Sequence, residues 1–198
     1  MNFHYMFIIQ GDNMGIYTKG GDKGSTSNLA GNRLLKCDLL IDVQGHIDEL
    51  NSHVGYLNSM LCLNQNIKPS VKKEVSSFLE EIQHKLYVTG VEISLEFKEP
   101  KIKAEDVTAL EENIDKMTNS MPPQTHFILY SGSQEGTYAH IARAVTRRAE
   151  RAFVELIHER DIVVGDSYKY INRLSDYFFT LSRYLNHIQG KNETIMEL

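Results

Sequence analysis

The chain has 198 residues, enough for one domain with a full-sized core. Hydrophobic content of 41% and charged content of 24% are those of an ordinary globular protein, and a formal net charge of −5 argues against a general nucleic-acid binder. No apolar run approaches the roughly 20 residues of a membrane helix, and two cysteines, Cys37 and Cys62, outside any C-x-x-C pair, point to a reducing, cytoplasmic setting where they serve as small apolar fillers.

The segment MNFHYMFIIQGDN has no basic residue ahead of its apolar part and makes a poor signal peptide. Residues 1–14 read as an extension, with Met14 an alternative start. A single domain follows over 15–190, then a tail over 191–198. The domain opens on TKGGDKGST, Thr18 to Thr26, which holds three glycines, two lysines, an aspartate and three hydroxyls. That is the composition of a phosphate cradle, but the G-K-[ST] ending of a P-loop is missing, since Lys23 precedes Gly24 and Ser25 follows it.

Beyond residue 35 the pattern is helical. Leu40, Val43, Ile47, Leu50, Val54, Leu57 and Leu61 step by three or four. Val71, Val75, Phe78, Ile82, Leu86, Thr89 and Ile93 do the same after Pro69. A shorter stripe, Val107, Leu110, Ile114 and Met117, stops before Pro122-Pro123. Ile141, Val145, Ala149, Ala152 and Leu156 form a fourth stripe. Tyr170, Leu174, Tyr177, Leu181 and Leu185 form a fifth, with Asp166 or Ser167 as candidate N-cap. Phe127–Tyr130 is the only strand-like piece. The pattern predicts an all-α protein, an antiparallel bundle of four or five helices.

Two polar helix faces carry candidate chemistry. Five of the eight arginines lie between 143 and 160. With Ile141 at zero, Arg143, Arg147 and Arg151 fall at about 200°, 240° and 280° and Glu150 at about 180°, against a stripe centred near 60°. A solvated face explains such a pattern in most helices, but the guanidinium fork suits phosphate oxygens. On the last helix Asn172, Asp176 and Arg183 share a polar face with Phe179, an apolar residue with no reason to face water alone. Asp48, in HIDELN, sits at the boundary of the first stripe, where a carboxylate can hold an arginine of another helix. Two E-x-x-H pairs, Glu81/His84 and Glu155/His158, have the spacing of a di-metal bundle site. Both histidines fall opposite the core stripes, which leaves a ferritin-like reading as an outsider.

Three blocks then resemble the PduO-type ATP:cob(I)alamin adenosyltransferase family, from about Ile16 to about Asn186. They are IYTKGGDKGST with GNRLLK, then GHIDELNSHVG, then FILYSGS with HIARAVTRRAER and INRLSDYFFTLSRY. The resemblance implies a homotrimer of helical bundles with ATP and corrinoid bound where subunits meet. It implies that Thr18, Lys19, Gly21, Asp22, Gly24 and Thr26 wrap the triphosphate, with Arg33 and Lys36 beside them. Arg143 and Arg147 would meet the nucleotide, Asp48 would pair with Arg143, and these three form the implied catalytic set. Glu150 and Asn172 complete the nucleotide side; Phe127 and Phe179 line the corrin side. The implied reaction moves the 5′-deoxyadenosyl group of MgATP to cob(I)alamin, whose product a B12-dependent enzyme receives. Mg²⁺ enters with ATP, and no metal ligand is implied on the protein. Three departures stand out: Tyr130-Ser131-Gly132 where the family usually has Pro-Gly-Gly, Gln44 in place of a common aromatic, and a tail without a closing aromatic. A relative that binds ATP or corrinoid without catalysis is the alternative.

Overall fold

The structure, a computed structural model, describes residue 17 and residues 19–197. The proposed extension over 1–14 and Thr18 lie outside the described residues. A hairpin comes first, β1 (Ser25–Ser27) and β2 (Arg33–Leu35), antiparallel with Ser25 opposite Leu35 and Ser27 opposite Arg33. Five helices follow: α1 (Leu39–Leu63), α2 (Pro69–Ser94), α3 (Ala104–Asn119), α4 (Gln134–Arg160) and α5 (Asp166–Ile188).

Local chemistry fixes the ends. Asp38 caps α1, its carboxylate accepting from Leu40 N at 3.0 Å. Pro69 starts α2 at the position where a missing N–H costs nothing. Ser133 caps α4 by accepting from Gly136 N at 3.1 Å, and Asp161, at φ 47°, ends it in the left-handed region. The expected cap of α5 is displaced. Gly165 is the N-cap, Asp166 is the first helical residue and bonds Lys169 at 2.7 Å, and Ser167 is buried.

Cross-helix pairs give the direction of packing. Between α1 and α4, Asp38 meets Arg160, Glu49 meets Arg148, His53 meets Tyr138 and Asn64 meets Glu135, so one number rises as the other falls. Between α2 and α3, Glu74 meets Lys116 while Lys85 meets Asp106. Both pairs are antiparallel. α5 packs on α4 and α3, and Phe78 of α2 reaches Tyr177 of α5 at 5.3 Å. The result is a bundle around one apolar core.

All seven residues of the α1 stripe are buried. The α4 stripe is rotated from its expected position. Ile141 is 44% exposed, while Ala139, Ala142, Val145, Ala149, Phe153 and Leu156 form the core face. That face centres near 95° rather than 60° on the same helical wheel. Three of those six residues are alanines, and an apolar stripe counted from Ile141 weights them too little. A second correction falls on α5. Arg183 is only 8% exposed, its Nε 2.5 Å from a Glu193 oxygen and its guanidinium donating to the Pro122 carbonyl at 3.1 Å. Glu193 belongs to the tail, whose return supplies the partner that makes burial of the cation bearable. Phe127–Tyr130 is not a strand. It makes one antiparallel bridge, Ile128 to Ile195, with Leu129 N donating to Thr194 O and Met196 N to Phe127 O, both at 2.8 Å. Cys37 and Cys62 are exposed, not apolar fillers. Glu81, His84, Glu155 and His158 are all exposed on the outside of the bundle. Among the described residues, no helix is long and apolar enough to cross a membrane.

Candidate functional site

The glycine loop runs into the hairpin, and the hairpin sets its shape. Lys19 (φ 56°) and Gly24 (φ 76°) take left-handed backbone, and Gly24 N donates to Gly21 O at 3.1 Å. Successive turns of this kind point backbone N–H groups outward, a setting for anions. Across the hairpin Arg33 binds the loop by three routes: Nε to Ser25 Oγ at 3.0 Å, a second nitrogen to Ser27 Oγ at 3.3 Å, and a third to the Gly20 carbonyl. Lys36 N donates to Gly24 O at 2.9 Å, and the Lys36 ammonium lies where a side chain on Gly21 would begin, 3.1 Å from an ideal Cβ. Two cations therefore stand against the loop, and the absence of a side chain on Gly21 leaves room for one of them, Lys36.

The far end of the hairpin is tied to the end of α2. Leu29 N donates to Ser94 Oγ at 2.9 Å and Ala30 N to Ser94 O at 3.1 Å. Asn28 Nδ2 donates to Glu96 at 2.9 Å, and Asn32 reaches the same carboxylate. Hydrogen bonds from Lys98, Asn32 and Asn28 hold the Glu96 carboxyl down at about 2. The hairpin, α1 and α2 enclose a groove of about 500 Å³, with Thr26, Ser27, Gln44, Asp48, Asn51 and Tyr87 in its lining.

The arginine face lies elsewhere. Arg143 is half-buried, its Nε is shielded from solvent, and no hydrogen-bond acceptor meets that Nε among the described residues. Its guanidinium carbon sits 4.8 Å from the centre of the Tyr130 ring. Arg147 is exposed. Glu150 accepts from Asn172 Nδ2 at 2.8 Å, so these two sequence candidates are brought together. Phe127 is 74% exposed on the segment pinned by the tail, and Phe179 is half-buried, 5.9 Å from the His140 ring.

The Asp48–Arg143 ion pair does not form within the chain. Asp48 and Glu49 lie on opposite flanks of the α1 core stripe, about 100° apart around the wheel. Glu49 takes the flank toward α4 and pairs with Arg148 at 2.5 Å, which lowers its pKa. Asp48 takes the flank toward the hairpin groove. On α4 the same division holds, with Arg148 facing α1 and Arg143 turned toward Tyr130. Sequence reasoning missed Glu49 and Arg148 as partners, although the adjacent positions in DEL and TRR carried the signal.

It also missed His140. This residue is 4% exposed, 4.4 Å from the Tyr130 ring, with Nε2 2.9 Å from Ser182 Oγ. Burial, and then the Arg143 charge, push its pKa down to about 4. The folded state therefore holds fewer protons than the unfolded state between about pH 4 and 6.5, and stability falls on acidification through that window. We expect a loss of up to about 3 kcal/mol from His140 between pH 7 and pH 4, and His140→Gln should flatten the slope in urea unfolding measured across that range.

Similarity to known proteins spans both halves of this site. The profile of the cobalamin adenosyltransferase family matches residues 16–185. A corrinoid adenosyltransferase of Bacillus subtilis is 40% identical over 179 residues, 89% of each chain. One of Homo sapiens is 38% identical over 91% of this chain and 72% of its own length. A variant of the PduO-type ATP:corrinoid adenosyltransferase from Lactobacillus reuteri, solved with cobalamin and ATP, superposes with a TM-score of 0.81 at 36% identity, covering 92% of this chain and 97% of that one. Another variant of that enzyme, solved with ATP, gives 0.80 at 37% identity, covering 92% of this chain and all of that one. With glycine loop, arginine helix and bundle all inside the matched span, the chain belongs to the cobalamin adenosyltransferase family.

Proposed function

We propose that the chain transfers the 5′-deoxyadenosyl group of ATP to the cobalt of cob(I)alamin, releasing triphosphate and giving adenosylcobalamin. The observation that carries this is Arg143: a half-buried cation with no carboxylate partner among the described residues, its guanidinium over the ring of Tyr130, on the same loop that exposes Phe127. The guanidinium suits phosphate oxygens, and exposed Phe127 offers an apolar face.

The chemistry asks little acid–base work of the protein. Co(I) supplies the electron pair, the Co–C5′ bond forms, the C5′–O bond breaks, and the electrons leave on triphosphate. The protein's task is to hold C5′ over the metal and to neutralise charge growing on the leaving oxygen. Lys19, Arg33, Lys36 and the backbone of Gly21, Asp22, Gly24 and Thr26 would take the triphosphate, with Thr18 at the head of the loop. Arg143 and Arg147 would approach from the helical side, with Glu150 and Asn172 bonded to each other as their neighbours. Mg²⁺ would come in as the counter-ion of the triphosphate. Phe127, 74% exposed, offers a face that cannot donate to cobalt and keeps water from it.

We read the working form as a homotrimer in the cytoplasm that passes its product to a B12-dependent enzyme. Asp48 and Arg143 face away from each other within one chain, which fits a site completed by a second copy. Exposed Tyr56, Ile141 and Val154 supply apolar surface for that contact. Asp48→Ala and Arg143→Ala should each abolish most activity alone. Mixed, refolded together and assayed, the two should recover about a quarter of wild-type activity if Asp48 of one copy serves Arg143 of the next. No recovery would place both residues in one chain's site. Phosphorus NMR of the products tests the reaction itself: triphosphate is expected, and orthophosphate with pyrophosphate would point to another chemistry.

A further inference from the structure

We propose that Tyr130 is a positioning residue for this reaction, its ring carrying the Arg143 guanidinium and fixing the direction in which that fork meets the phosphates of ATP. The proposal rests on the function given above. The guanidinium carbon lies 4.8 Å from the ring centre, inside the range of a cation–π contact. Among the described residues Arg143 has no carboxylate within ion-pair distance, and its Nε has no acceptor. The aromatic face is what holds the cation.

That choice of partner has a chemical consequence. A carboxylate against the fork would occupy its N–H donors, whereas a ring attracts the charge through its face and leaves the N–H groups for incoming oxygens. The ring is itself held. Its other neighbour is His140 at 4.4 Å, tilted by 34°, and His140 is fixed by Ser182. The backbone on either side is bonded too, Leu129 N to Thr194 O at 2.8 Å and Asn186 Nδ2 to Ser131 O at 2.9 Å. His140 is neutral near pH 7, so it adds no positive charge beside Arg143. A tyrosine 57% exposed, with its backbone held on both sides and a cation over its face, serves as a platform.

The test is calorimetric titration of MgATP into the full-length protein. Tyr130→Phe keeps the ring and should bind within twofold of wild type. Tyr130→Leu and Tyr130→Gln remove it and should each bind about fivefold more weakly. Either of the two suffices if the other does not fold. In an Arg143→Gln background the same Tyr130 substitutions should change affinity less than twofold, because there is no cation left to position. Equal losses in both backgrounds, or wild-type affinity in Tyr130→Leu, would overturn the proposal while leaving the adenosyltransferase function standing. A wild-type protein that does not bind MgATP would overturn both.

Discussion

Arg143→Ala should lower kcat/KM for ATP by about 100- to 1000-fold while leaving urea unfolding close to wild type. Removing one preorganised donor to charge that develops in a transition state costs about 3 kcal/mol or more. The stability expectation follows from the same geometry. Within the chain Arg143 pairs with no carboxylate among the described residues, and its one close partner is the Tyr130 ring. Deleting it therefore strands no buried charge. Arg143→Lys keeps the charge and loses the planar fork, so it should fall between the two. A loss of less than tenfold in Arg143→Ala would remove this residue from the chemistry. Steady-state kinetics with saturating corrinoid decide it.

Gly132→Ala should be among the most destabilising single changes in the protein, about 3 kcal/mol in urea unfolding. Two effects add. Gly132 sits at φ 118°, a region that residues with a Cβ rarely enter. A Cβ placed there would also lie 2.3 Å from Asn186 Oδ1. Asn186 cannot simply move aside. Its Oδ1 accepts from Ser133 N at 2.8 Å and Ser133 Oγ at 3.0 Å, and its Nδ2 donates to Ser131 O at 2.9 Å. Ser133 in turn caps α4. Displacing one amide thus loosens the start of the arginine helix and the loop that carries Phe127 and Tyr130. Gly90→Ala is the control. It is helical, takes no positive φ and has nothing within 4 Å of a new Cβ, so it should be neutral or stabilising. Equal behaviour of the two variants would contradict the role given to Asn186.

The bundle was legible because long stripes of branched and leucine side chains report burial directly. All seven stripe residues of α1 are core, and Leu110 and Met117 of α3 are as well. The phase of α4 was less legible because half of its core face is alanine, and alanine is common on either side of a helix. Strands of three residues leave no periodic signal, so the hairpin stayed invisible although its loop was conspicuous. Arg183 looked solvated because its partners, Glu193 and the Pro122 carbonyl, lie outside the helix that carries it. The boundary position of Asp48 suits an arginine of another helix, and the choice of Arg143 as that arginine rests on the resemblance. Helical geometry already divides Asp48 from Glu49, and the structure gives Glu49, not Asp48, to α4. In contrast, Glu150 and Asn172 stand on the polar faces of two helices in the sequence pattern, and a 2.8 Å hydrogen bond joins them.

The most direct test of adenosyl transfer is an absorbance time course without oxygen. Chemically reduced cob(I)alamin and MgATP are mixed with the protein, and a parallel sample omits ATP. The Co(I) spectrum should disappear only where ATP is present, replaced by that of a light-sensitive alkylcobalamin. A Co(I) spectrum that persists while ATP occupies its site would contradict the proposed reaction and leave a protein that binds nucleotide without transferring from it.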